Sequence, residues 1–332
     1  MNEIKLTVIA ALFCALLIFI LRKLSHALGM LDLPDKRKQH AHPTPTIGGL
    51  AMFLAMVIAL QFGPSLTMPQ IVLLMCASAL LVLGMLDDKH NLSVSLRMLI
   101  QVSLVLIVLA SANGTIEQIG SIGDWQIKLG LFALPLSLIA FVGGINAMNM
   151  IDGADGMAGS MALISTVGAL LILNSGLEQS LDLAYALIGV LVAFLLFNSR
   201  IFISHAWVFM GDAGSMWLGL VVGWLMAQVA QHHAEPMIVL WLFGLPLIDT
   251  LTVMLRRMRR KKSPFKADRT HIHHVLQRLG FSTGRKVLLA ALVQSGLVLI
   301  GLTMHFMHAS TLLVLGGFIL LFASYYFILR KQ

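Results

Sequence analysis

Five aspartates, Asp87, Asp88, Asp152, Asp155 and Asp212, stand where apolar runs break off. Asp87 and Asp88 end LLVLGMLDD (80–88). Asp152 and Asp155 follow Asn146 and Asn149 in NAMNMIDGADG (146–156), and Asp212 lies in VFMGDAGS (208–215). Adjacent carboxylates repel, and each is expensive to hold beside hydrocarbon. Clustered carboxylates with Asn oxygens suit Mg²⁺, which takes one or two carboxylates together with substrate phosphate oxygens. A separate basic set lies in PDKRKQHAHPTPTIGG (34–49) and DRTHIHH (268–274), and such groups suit the phosphates themselves. Glycines bracket the acids, and bare backbone lets a ligand come close. Together these types describe a metal-assisted phosphoryl-transfer site at a membrane surface.

Each piece also has a plainer reading. Asp87–Asp88 could cap the next helix, and Asp212 could be an ordinary N-cap. Asn146, Asn149, Asp152 and Asp155 recur every third residue, a spacing that drifts by about 60° per step on a helix. The row could therefore be a polar seam between helices. Gly153 and Gly156 predict instead that the helix stops there and lets the later aspartate turn back. His271, His273 and His274 have the look of a zinc cluster, but no Cys or Glu lies near and Lys266 and Arg269 flank them, which favours phosphate.

The elements that must carry these residues are membrane helices. Of the 332 residues, 58% are hydrophobic and 11% charged, with a mean hydropathy of +0.89, too little polar surface for a soluble chain of this length. Runs long enough to span a bilayer predict eleven helices near 4–21, 46–62, 70–86, 96–112, 129–147, 157–174, 181–198, 213–231, 237–255, 286–304 and 310–329. With no linker of distinct composition, residues 1–332 read as one all-α polytopic membrane domain. Counting loops alternately puts 21 of the 23 Lys and Arg on one side, leaving only Lys5 and Lys128 on the other. By the positive-inside rule the first side is cytoplasmic, the N-terminus periplasmic and the C-terminus cytoplasmic. All five aspartates and the histidine cluster then face the cytoplasm. The net charge of +8 resides in these loops, RMRRKK (257–262) included, so it implies anionic lipid headgroups rather than nucleic acid. Cys14 and Cys76 fall in apolar runs and read as core residues.

LDDKHNLS, NAMNMIDGADGMAG, VFMGDAGS and ADRTHIHH, in this order and on one membrane side, resemble the polyprenyl-phosphate N-acetylhexosamine-1-phosphate transferases along nearly the whole chain. SPFKADRTHIHH and the eleven spans look closest to the bacterial branch that uses GlcNAc-1-phosphate and undecaprenyl phosphate. The resemblance implies a UDP-N-acetylhexosamine and undecaprenyl phosphate as substrates, with undecaprenyl-diphosphate-sugar and UMP as products. The setting is the bacterial inner membrane, at the start of a surface polysaccharide such as O-antigen. It further implies Mg²⁺, with Mn²⁺ as a substitute, held by Asp212 and Asn149, and Asp87, Asp88, Asp152 and Asp155 as catalytic groups. Asn146, Asn198, Phe209, Lys38, His40, Arg269, His271, His273 and His274 would bind substrate, and a homodimer is compatible with it. Lys89 directly follows the paired aspartates here, where many members place a lysine a few residues on.

Two other classes fit parts of the pattern. The same chemistry with UDP-FucNAc or UDP-MurNAc-pentapeptide would need the same residues. A secondary transporter would use acids deep in the membrane, and Asp249 in GLPLIDT is one acid well inside a span.

Overall fold

The computed structural model describes residues 3–32, 43–112, 114–123, 125–174, 178–232, 235–264 and 270–329. Every expected span contains helix, because in hydrocarbon only a helix satisfies its own backbone groups within one segment. In chain order these are α1 (Glu3–Leu24), α2 (Gly48–Leu60), α3 (Met68–His90), α4 (Val94–Ser111), α5 (Ala133–Ile151), α6 (Met157–Leu173) and α7 (Glu178–Asn198). Then follow α8 (Gly211–His232), α9 (Val239–Leu242), α10 (Gly244–Arg259), the short α11 (Ile272–Arg278), α12 (Thr283–Phe306) and α13 (Thr311–Leu329). Two small antiparallel ladders join them, β1 (Leu31–Asp32) with β2 (Thr44–Pro45) and β3 (Gln118–Ile122) with β4 (Trp125–Lys128). The protein is thus a predominantly helical, multi-pass membrane protein. Among the described residues eight helices are long and apolar enough to cross a bilayer, while α2 and α6, at 13 and 17 residues, are shorter.

The segment expected to span 237–255 as one helix departs from that expectation. It is broken at Phe243, and its halves, Pro236–Leu242 and Gly244–Arg259, meet at 82°. Pro246 has no N–H to offer the carbonyl of residue 242. Buried Gln294 on α12 takes up that role: its Nε2 donates to Leu242 O at 2.7 Å and its Oε1 accepts from Leu245 N at 2.9 Å. One side chain therefore caps both cut ends, which makes the bend affordable in an apolar surrounding.

α8 is the central post, with 94% of its spanning window buried against α2, α3, α5 and α6. Small residues let its first turn touch two neighbours. A Cβ on Gly84 of α3 would collide with the backbone of Ala213, and one on Gly49 of α2 with that of Gly214. Close approach of this kind is how helices associate where no hydrophobic force separates protein from lipid. Trp217 adds a bond from its indole N–H to Gly49 O at 3.2 Å. Consequently the acidic end of α3 meets the acidic start of α8. Cys14 and Cys76 are buried and unpaired with each other, as core residues should be.

Candidate active site

At the α3–α8 corner, Asp87 is 5% exposed and accepts from Leu92 N at 2.8 Å and from Arg97 Nη1 on α4. The same guanidinium lies 3.9 Å from Asp212 Oδ2. Asp88 points the other way, across to α8, where its carboxylate accepts from the N–H groups of Asp212 at 3.1 Å and Ala213 at 3.4 Å. These are orphan donors of the opening turn of α8, whose positive end favours an anion. Gly211, at φ +70°, aims that turn at Asp88. Asn149 on α5 completes the corner: its Nδ2 donates to Asp212 Oδ1 at 2.8 Å and to Ser215 Oγ at 2.9 Å.

α5 ends at Ile151, and α6 begins after Gly156, at φ +95°. The stop expected from the two glycines therefore occurs. Asp155 turns to Arg200, 3.5 Å away in the segment after α7, and not back toward Asn146. Asn146 instead joins a seam between helices, its Nδ2 donating to Gln101 Oε1 at 2.7 Å. Asp152 lies between these groups; desolvation, then the charges of Asp212, Asp155 and Asp88, push its carboxyl well above the ordinary range. Asn198 is buried and donates to Val208 O at 2.7 Å, tying the end of α7 to the segment that leads into α8. Phe209 N donates to Pro45 O at 2.7 Å, which fixes the backbone beneath its ring.

The histidines hang from α10. Asp249, 1% exposed, has Oδ2 at 2.8 Å from His271 Nδ1, while its Oδ1 accepts from Ile272 N at 3.0 Å and from the Tyr325 hydroxyl at 2.7 Å. Two turns further on, Arg256 Nη2 donates to Thr270 O at 2.7 Å and its Nη1 to Leu329 O at 2.8 Å. One face of α10 thus grips the segment by both an N–H and a carbonyl. His273 is thereby brought against Gly153, which has no room for a Cβ. Burial, then the charges of His274 and His271, lower the His273 imidazole to about 3, so it is neutral. Asp249, the acid that suggested an ion path, is a fully bonded anchor.

Two adjoining cavities result. The larger, about 840 Å³, is lined by Asp87, Asp88, Asp152, Asp155, Asp212, Asn198 and Phe209, together with Asp32, Lys89, Arg200 and Lys286. The smaller, about 310 Å³, holds Arg97, Asn146, Asn149, His271, His273 and His274. Gly153 lines both. Lys38, His40 and Arg269 lie outside the described residues. Arg97, Arg200, Asp249, Arg256 and Lys286 had no place in the sequence reading of the site. Gly84, Gly153, Gly156 and Gly214 lie against other parts of the protein and so bring the elements together, while Gly153 also lines both cavities.

Among the described residues no three Asp, Glu, His or Cys side chains converge as a complete metal cage would require. Asp88, Asp152 and Asp212 nevertheless share one cavity, and the ion pairs at the site run chiefly to Asp87, from Arg97 of the adjoining cavity, and to Asp155, from Arg200. Hard oxygen donors in excess of cations fit Mg²⁺ bound through one or two carboxylates with a ligand's phosphates.

The family model described as Glycosyl transferase family 4 matches residues 70–230. The chain is 34% identical over 330 residues to the undecaprenyl-phosphate alpha-N-acetylglucosaminyl 1-phosphate transferase of Escherichia coli O157:H7, covering 96% of this chain and 89% of that one. The protein of the same name from Salmonella typhi gives the same figures. That of Pasteurella multocida is 33% identical over 321 residues, or 93% and 88% of the two chains. A likeness this continuous, running through every acidic motif just described, shows that the chain belongs to glycosyl transferase family 4.

Proposed function

We propose that the protein transfers GlcNAc-1-phosphate from UDP-GlcNAc to undecaprenyl phosphate in the bacterial inner membrane, releasing UMP. The observation that carries this reading is the convergence of six carboxylates, Asp32 among them, and three basic groups, Lys89, Arg200 and Lys286, on one cavity at the ends of membrane helices. A lipid phosphate at headgroup level and a nucleotide from the cytoplasm can meet only at such a place. The names of the relatives supply the sugar and the lipid. The product would open a surface polysaccharide. Eleven spans, with α9 and α10 as one broken span, put the N-terminus outside and this cavity inside, in keeping with the basic loops.

In this reading an oxygen of the lipid phosphate attacks the sugar-bearing phosphorus of UDP-GlcNAc. The bond from that phosphorus to the bridging oxygen breaks, and UMP leaves with the electron pair. A phosphate monoester is largely dianionic at neutral pH, so no strong base is required. Asp87 is paired with Arg97, whereas Asp88, held by the N–H groups of Asp212 and Ala213, has no cation beside it among the described residues, and it is this carboxylate that orients the attacking phosphate. Asp212 and the carbonyl oxygen of Asn149 would hold Mg²⁺, which supplies charge neutralisation on the diphosphate when bound. Arg97 serves both sides of the site by restraining Asp87 and Asp212 together. Asp152 and Asp155 border the nucleotide, with Phe209 as a stacking surface, and His271, His273 and His274 hold phosphate or sugar from the adjoining cavity. His271, with Nδ1 toward Asp249, keeps Nε2 for a ligand.

The test is UMP release by the purified protein in detergent with undecaprenyl phosphate, Mg²⁺ and UDP-GlcNAc. Release that needs both lipid and metal, and stops with EDTA, is expected. Release only with UDP-FucNAc or UDP-MurNAc-pentapeptide would change the sugar, and silence with every UDP-sugar would sink the reading.

A further inference from the structure

We infer that Lys286, with the opening turn of α12, forms an anion-binding wall of the larger cavity and takes a phosphoryl oxygen of the nucleotide. Lys286 lies in no acidic or histidine motif. It is 3% exposed and lines the cavity together with Thr283. Among the described residues its ammonium makes no hydrogen bond and no ion pair. The carboxylate whose charge reaches it is Asp155, which Arg200 already holds at 3.5 Å.

Two physical facts count against a merely structural lysine here. The residue is enclosed, yet it lines the cavity with no carboxylate of its own to pair with among the described residues, which is the placement of a cation that receives an anion. The residue also sits in the first turn of a helix, where the macrodipole repels a cation. The same placement is favourable once an anion is present. Ser282, the N-cap of α12, makes no side-chain capping bond, so N–H groups of the first turn remain as donors beside the ammonium. Gly284 packs directly on the backbone of Arg200, which ties this turn to the Asp155–Arg200 pair. The larger cavity therefore carries Lys286 and Arg200 beside Asp155 as well as its other aspartates. A nucleotide diphosphate would meet the acids and their metal with some of its oxygens and Lys286 with another.

The inference rests on the transfer reading for the identity of the nucleotide. It is tested with Lys286→Met, which keeps an unbranched chain in the helix, and Lys286→Arg, which keeps the charge. Binding of UMP and of uridine to the native and variant proteins is measured by calorimetry in detergent, alongside the KM for UDP-GlcNAc and for undecaprenyl phosphate. Lys286→Met should weaken UMP about tenfold, as loss of a charge-assisted hydrogen bond does, and leave uridine unchanged. The KM for UDP-GlcNAc should rise in parallel, that for the lipid should stay, and Lys286→Arg should recover most of the affinity. Equal UMP affinity in Lys286→Met, an equal loss for UMP and uridine, or a loss confined to the lipid would overturn the assignment. The UMP–uridine comparison needs no turnover, so it decides on Lys286 even if UMP release fails and the transfer reading falls.

Discussion

Nδ1 of His271 lies 2.8 Å from Oδ2 of Asp249, although one belongs to a loop and the other to the interior of α10. The carboxylate is completely enclosed, and its other oxygen serves Ile272 and Tyr325. Removing one partner of such a buried set is expected to cost about 3–5 kcal/mol. Asp249→Ala should therefore lower the thermal midpoint in detergent and lose UMP release. Asp249→Asn, able to satisfy two of the three partners, should retain part of both. Native-like activity in Asp249→Ala would remove the histidine arm from the site.

Arg97 joins Asp87 to Asp212 across two helices. Arg97→Met leaves Asp87 buried without its cation, a loss of about 1–3 kcal/mol. The larger effect should be on turnover, by at least tenfold, because Asp212 loses its restraint. Lys keeps the charge but not the planar guanidinium, so Arg97→Lys should fall in between. Steady-state UMP release on the three proteins checks this order.

Asp88→Asn and Asp212→Asn keep the size of the side chain and remove a charge from the shared cavity. Both should abolish turnover while the protein still inserts and migrates as native on size exclusion. In Asp212→Asn the Mg²⁺ dependence of nucleotide binding should also weaken. Full activity in either variant would refute the site assignment.

Gly84→Ala is a test of geometry alone. The added methyl meets the backbone of Ala213, which cannot yield without moving the first turn of α8. Overpacking of this kind costs about 1–3 kcal/mol. Because that turn also carries Asp212, activity should fall more than stability does, as read by kcat beside a thermal melt.

His273 is held neutral, with its imidazole lowered to about 3 against an ordinary 6.5. In the unfolded chain the same ring takes a proton below about 6.5. Between these values the unfolded state binds more protons, so stability rises with pH and is lost as pH falls through this window. Thermal melts of the native protein should decline on acidification, and His273→Gln should flatten that decline. Identical slopes would show that the ring is not buried neutral.

The helical segments and the acids were legible because apolar runs and charges within them are strong, local signals. The stop after Ile151 was legible too, from Gly153 and Gly156. The break at Phe243 was not, since mean hydropathy runs evenly through 237–255 and only Gly244 and Pro246 hint at it. Its cap, Gln294, is 49 residues away in sequence from Leu245. Arg97 and Lys286 looked like topology charges because sequence shows the side of the membrane, not the direction of a side chain. The anchoring role of Asp249 was not legible for the same reason, since its partners come from two other segments. The helix contacts made by the glycines of GMLDD and GDAGS were not legible either, as contact between helices is not a sequence pattern with a fixed spacing.

Arg256 closes the carbonyl end of α13 at Leu329 with the same guanidinium that holds Thr270, and Tyr325 of that helix completes the shell of Asp249. This has a consequence for the timing of synthesis. On the ribosome the acidic corner can form as soon as α8 has entered the bilayer, whereas the histidine arm must wait until residue 329 has been made. A nascent chain arrested before that point would carry every carboxylate and remain silent.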